Sequence, residues 1–232
     1  MKNKFIKDLE KHLLLVKNEK DAREMRGYMK NKFDFIGVKV HVRAQLLKYL
    51  YPDHSEEIEE NLIEIVYELF QKEEREYQYI ALELLKKNID QIYKIEHILL
   101  LKKLSELKPQ WDTIDIFAKD ILGKYLLKFP EMTETIVNLM NNSNYIWKIR
   151  TSLLFQIHYK EKTNGELLFK TIKKFKNHPD HFIQNAICWS LNEYSKYEPK
   201  LVNEFVKKNN ISQMKKLCIS CVESKKRNFI NK

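Results

Sequence analysis

The same short pattern, an aromatic residue followed four positions later by a small one, returns along the chain at a nearly fixed interval. Trp147 and Thr151 align with Phe182 and Ala186 at an offset of 35 residues, which also carries Tyr159 onto Tyr194. Twice that offset links Tyr77 with Trp147 and Ala81 with Thr151, and 34 residues separate Tyr77 from Trp111. Residues four apart share one face of a helix, and a small residue on that face lets a neighbouring helix approach closely. A repeat of this length can therefore bury its apolar face only by stacking on its neighbours.

The residues between the aromatic positions agree with helices. Phe5, Leu9, Leu13 and Val16 form one apolar stripe, and Ile58, Leu62, Ile65, Val66 and Leu69 form a longer one. No period-2 alternation runs far enough for a strand. Breaks are expected near Asn18 to Asp21, Phe35 to Lys39, Tyr51 to Ser55, Lys108-Pro109, Phe129-Pro130, Asn141 to Asn144, Asn164-Gly165, His178-Pro179 and Glu198-Pro199, with Asp180 as a helix N-cap. The tetratricopeptide consensus does not fit. The expected fold is all-α, a right-handed superhelical α-solenoid of about six HEAT-like antiparallel helix pairs. With 4 Gly and 5 Pro in 232 residues there is no linker, so residues 1–232 are expected to form a single domain.

The paucity of glycine excludes Gly-rich phosphate loops, and with them the nucleotide chemistry those loops serve. His178-Pro179-Asp180-His181 lacks metal-ligand spacing, and Cys218-Ile219-Ser220-Cys221 has no second cysteine pair, so neither a metal nor a cofactor is expected. No apolar run reaches the roughly 18 residues of a membrane span, and the N-terminus has no signal-peptide core. A cytoplasmic protein with reduced thiols is expected. The 42 Lys+Arg against 32 Asp+Glu give a net charge of +10, which suits a polyanionic partner. Part of this charge lies in a C-terminal run, Lys207-Lys208, Lys215-Lys216 and Lys225-Lys226-Arg227.

Asp115 departs from the repeat. Ala81, Thr151 and Ala186 fill the small position in three repeats, whereas the Trp111 repeat carries a carboxylate there. A residue that breaks a local packing rule is a candidate for function. Asp112, in the same Trp111-Asp112-Thr113-Ile114-Asp115 stretch, suits the positive end of a helix dipole. Arg150, three residues after Trp147, suits either an interhelical ion pair or bidentate contact with phosphate.

At these residues the chain resembles the bacterial DNA alkylation repair glycosylases of the AlkD type, built from HEAT-like repeats. The resemblance covers nearly the whole chain. It runs through Tyr28-Met29-Lys30-Asn31, Phe35-Ile36-Gly37-Val38, Glu74-Arg75-Glu76-Tyr77-Gln78, Trp111 to Asp115, Asn144-Tyr145-Ile146-Trp147 to Arg150, and Phe182-Ile183-Gln184 to Trp189. Gln110 departs from the aromatic residue that often precedes the Trp-Asp pair. The resemblance implies excision of cationic N3- or N7-alkylated purines from duplex DNA with the lesion still largely stacked, and a monomer is expected because solenoids with capped ends are usually monomeric. It implies that Asp115 is catalytic, that Trp111, Arg150 and Trp189 contact the lesion, and that Tyr28 contacts DNA. The chemistry is consistent. An alkylated purine leaves as a neutral base, and a carboxylate would stabilise the oxocarbenium-like sugar left behind. The alternatives on the same scaffold are a noncatalytic DNA-structure binder and a protein-interaction scaffold.

Overall fold

The structure is a computed structural model that describes residues 3–211. Lys215, Lys216, Cys218, Cys221 and the Lys225-Lys226-Arg227 run lie outside the described residues. The described chain forms two compact units, one ending at Lys108 and the other beginning at Pro109.

The first unit holds α1 (Lys4–Leu15), α2 (Glu19–Tyr28), α3 (Val40–Leu50), α4 (Ser55–Gln71), α5 (Arg75–Lys87) and α6 (His97–Glu106). The second holds α7 (Trp111–Ile116), a π-helical segment (Phe117–Leu122), α8 (Gly123–Lys128), α9 (Thr133–Asn141), α10 (Ile146–Leu154), α11 (Gly165–Phe175), α12 (His181–Tyr194) and α13 (Pro199–Lys208). The all-α expectation holds. Because α7, the π segment and α8 are one continuous rod, the described residues contain twelve rods, the number that six pairs require.

Helices start where short polar side chains cap them. Asn18, Asn164 and Asp180 accept hydrogen bonds from the backbone N–H of Asp21 (3.1 Å), Leu167 (3.0 Å) and Phe182 (2.7 Å). Each satisfies an amide that the first helical turn leaves without a partner. The apolar stripes then bury: Phe5, Leu9 and Leu13 of α1, and Ile58, Leu62, Ile65, Val66 and Leu69 of α4, are inaccessible or nearly so, whereas Val16 is exposed. In the second unit Ile149, Leu153, Leu168, Ile172, Ile183, Ala186 and Ile187 form one core shared by α10, α11 and α12.

Equivalent repeat positions touch. The rings of Trp147 and Phe182, 35 residues apart, lie 5.1 Å apart, and Asp115 meets Arg150 over the same interval. The small positions Ala81, Thr151 and Ala186 are all buried. Helices α7, α10 and α12 thus pack in sequence, with α10 in the middle.

Two breaks depart from the sequence expectation. The chain turns at 72–74, where no Gly or Pro announces it, because Gln78 gathers the loose carbonyls: its amide nitrogen donates to Leu69 O (3.2 Å) and Lys72 O (2.8 Å). It also leaves helix at 88–96 through a 3₁₀ turn at Ile89–Ile92. Cys188 is buried in α12.

The π segment has a visible cause. The Gly123 N–H donates to Ala118 O, five residues back, and the buried Tyr159 hydroxyl donates to Gly123 O at 2.6 Å. Burial pushes the Tyr159 phenol well above its ordinary pKa. A Cβ on Gly123 would stand 2.3 Å from Phe155 O, so only glycine lets the two backbones approach this closely. Gly123→Ala is expected to cost about 1–3 kcal/mol through forced overpacking, read as a lower urea midpoint for the full chain. An unchanged midpoint would contradict the assignment.

Candidate active site

The sequence stretch Trp111 to Asp115 begins a helix because Gln110 stops the chain before it. Gln110 is extended, its carbonyl accepts from the amides of Thr113 (3.1 Å) and Ile114 (2.9 Å), and its side-chain oxygen accepts from Trp111 N (3.1 Å). Helix α7 then buries Thr113 and Ile114 and leaves Trp111, Asp112 and Asp115 half-buried on its other side. Asp112 falls in the first turn, where the helix dipole favours an acid.

Arg150 comes from α10, where it is buried with Ile149 and Leu153. It meets Asp115 edge to edge: Nε donates to Oδ1 at 2.7 Å and Nη2 to Oδ2 at 2.8 Å. Nη1 donates to the carbonyl of Phe182 in the first turn of α12. The side chains are 7% and 14% exposed, so the pair is largely shielded from water and salt. Charge-assisted bidentate pairing fixes both the position and the plane of the carboxylate. A carboxylate has about four lone-pair sites and Arg150 takes two, so both oxygens retain acceptor capacity for water or substrate.

The Phe182 ring lies 5.1 Å from Trp147 and 4.0 Å from the exposed His181 ring, and its carbonyl ties α12 to Arg150. Trp189, two turns further along α12, packs partly on the core of this unit. The ammonium of Lys119 sits 5.2 Å from the Trp189 ring centroid. Asp120, the next residue, turns to His158 at 3.3 Å.

The second unit therefore brings Asp115 and Arg150 into direct contact, carries Trp111 one turn before Asp115, and links Trp189 to the same rod through Lys119. Tyr28, the last residue of α2, belongs to the first unit. It is 73% exposed and borders an apolar pocket of about 330 Å³ with Met25, Met29, Phe35 and Tyr79. Sequence reasoning missed Lys119 and the carbonyl of Phe182. The four-residue step from Asp115 to Lys119, repeating that from Trp111 to Asp115, is the signal that pointed to the first. Among the described residues no group of three or more His, Cys, Asp or Glu side chains is arranged to hold a metal ion. No helix of the described residues is long and apolar enough to cross a membrane.

The sequence profile of the DNA alkylation repair enzymes matches residues 9–220. The chain belongs to the DNA alkylation repair enzyme family. Among solved structures it is similar to a predicted DNA alkylation repair enzyme from Enterococcus faecalis, with 34% sequence identity and a TM-score of 0.76. That likeness covers 83% of this chain and 89% of the other. None of the curated proteins compared matches the chain. Membership of the family makes this protein an enzyme of DNA alkylation repair, with DNA as its substrate.

Proposed function

We propose that this family member is a monofunctional alkylpurine DNA glycosylase. It hydrolyses the N-glycosidic bond of cationic N3- or N7-alkylated purines, such as 3-methyladenine and 7-methylguanine, in duplex DNA. It acts as a cofactor-independent monomer in the cytoplasm, its whole chain serving as one DNA-binding domain, and its product is the abasic site with which base excision repair begins.

The observation that carries this reading is a carboxylate, largely buried but still reachable at 14% exposure and clamped in one orientation by a buried arginine, on a helix that also presents Trp111. A structural ion pair or a phosphate-binding surface has no need of an accessible acceptor beside an indole. Hydrolysis of an alkylated nucleoside does need one, because the base departs neutral and positive charge collects on the deoxyribose. A fixed carboxylate stabilises that charge without reorganising during the reaction, and its spare lone pairs orient the attacking water. Trp111 and Trp189 supply electron-rich surfaces beside a cationic nucleotide, an attraction of about 0.5–2 kcal/mol for each well-placed ring. Tyr28 contacts the duplex, and the lysine-rich surface supplies the salt-dependent part of its affinity.

The test is incubation of purified protein with duplex DNA containing 7-methylguanine, followed by measurement of free base and of abasic sites. Release of base well above the spontaneous rate, with the strand left intact until alkali is added, is the expected result. Release no faster than in buffer alone defeats the proposal.

A further inference from the structure

Lys119 is the charged side chain of this neighbourhood that the roles above leave without a task. It follows Asp115 by four residues, one turn along the same rod, inside the π segment. Such segments recur at functional sites because they re-aim side chains that a regular helix would direct elsewhere. Lys119 is half-buried, and its ammonium lies over the Trp189 ring. The nearby carboxylates are engaged elsewhere, Asp115 by Arg150 and Asp120 by His158. Among the described residues no ion pair reaches Lys119.

An ammonium has three donors and no acceptor, and the face of an indole satisfies its charge only in part. Its stem is half-buried while its charge has only the indole beside it, which leaves the ammonium able to take an anionic partner. Arg150, by contrast, already has its charge matched by Asp115, and the pair presents no net charge to a polyanion. Lys119 is the cation on this rod whose charge is available beside the carboxylate.

We propose that Lys119 binds a backbone phosphate of DNA next to the nucleotide addressed by Asp115, and that Trp189 is the platform that holds its ammonium there. The inference rests on the glycosylase reading above. It adds to the task of Trp189, because the ammonium of Lys119 competes with a cationic purine for the ring face it covers. Trp189 then serves the substrate through Lys119 and through contact with the sugar.

The experiment is a salt titration of duplex binding, using DNA with a stable abasic-site analogue, for wild type, Lys119→Gln and Lys119→Arg. Loss of one phosphate contact lowers the slope of log affinity against log salt by about 0.9. Lys119→Gln is expected to show that loss, and Lys119→Arg to retain the wild-type slope. Neutral methylphosphonates, placed singly along the strand, identify the phosphate. One position should weaken wild type and leave Lys119→Gln unaffected. Lys119→Met, which keeps the stem against Trp189, gives the same comparison if the amide variant does not fold. An unchanged slope, or methylphosphonates that weaken both proteins equally, overturns the assignment of Lys119 while leaving the glycosylase reading intact. Wild type that binds duplex with no salt dependence overturns both.

Discussion

Replacing Asp115 with asparagine is expected to reduce release of 7-methylguanine by at least about 100-fold, the loss seen when one preorganised electrostatic group is removed from a catalytic site. Asparagine keeps the shape and one acceptor oxygen but removes the charge. One of the two hydrogen bonds from Arg150 survives, and the amide nitrogen then faces a guanidinium donor. Duplex affinity should hold or rise slightly, since a negative charge leaves the vicinity of DNA. The decisive comparison is with Arg150→Ala, which leaves the carboxylate in place and takes away what holds it. That variant leaves a largely buried charge without a partner and releases the carbonyl of Phe182, so it should also lose about 3–5 kcal/mol of stability. Single-turnover rates and urea midpoints for both variants separate the two roles. Asp115→Asn should be slow and less stable than wild type, because it leaves the buried Arg150 guanidinium charged with one acceptor, and Arg150→Ala slow and less stable still, because it also releases the carbonyl of Phe182. Asp115→Asn with wild-type turnover would remove Asp115 from the chemistry.

The contrast between those variants also marks what the sequence alone could resolve. Helix type and most boundaries were legible because they depend on local chemistry: apolar spacing, Asn and Asp caps, and Pro at the first turn of α13. The repeat alignment also singled out Asp115, since a carboxylate in a position that elsewhere holds Ala81, Thr151 and Ala186 needs a partner or a purpose. Spacing left open whether Arg150 pairs with an acid or with phosphate. That choice depends on how α7, α10 and α12 meet, a tertiary property. The same holds for the turn at 72–74. Its sequence is merely charged, and it turns because Gln78 supplies donors from the following helix. Lys119 was harder still. Its contact with Trp189 depends on the π segment, which in turn depends on Gly123 and the hydroxyl of Tyr159, residues that carry no local sign of a bulge.

The largest effect in the first unit is expected at Glu76, in the sequence stretch Glu74 to Gln78. Its carboxylate is wholly inaccessible and accepts three backbone amides: Ile36 N on Oε2 at 3.1 Å, and Gly37 N (2.8 Å) and Val38 N (3.0 Å) on Oε1. Gly37 makes this possible with a φ of +92°, and a Cβ there would stand 1.9 Å from Asn18 O. The segment joining α2 to α3 is thus folded around one buried anion on α5. Glu76→Gln is nearly isosteric, yet an amide can accept on only one end. If its oxygen keeps Gly37 and Val38, its nitrogen faces the Ile36 N–H, donor against donor. If it flips, two amides lose their acceptor. Hydrogen bonds to a charged group contribute about 1.5–3 kcal/mol each, and a stranded buried donor adds its own desolvation cost. A loss of roughly 3–5 kcal/mol follows. It should appear as a lower urea midpoint in far-ultraviolet circular dichroism, together with rapid hydrogen exchange at Ile36, Gly37 and Val38. Retained protection at those three amides in Glu76→Gln would show that the loop is held by something other than this carboxylate.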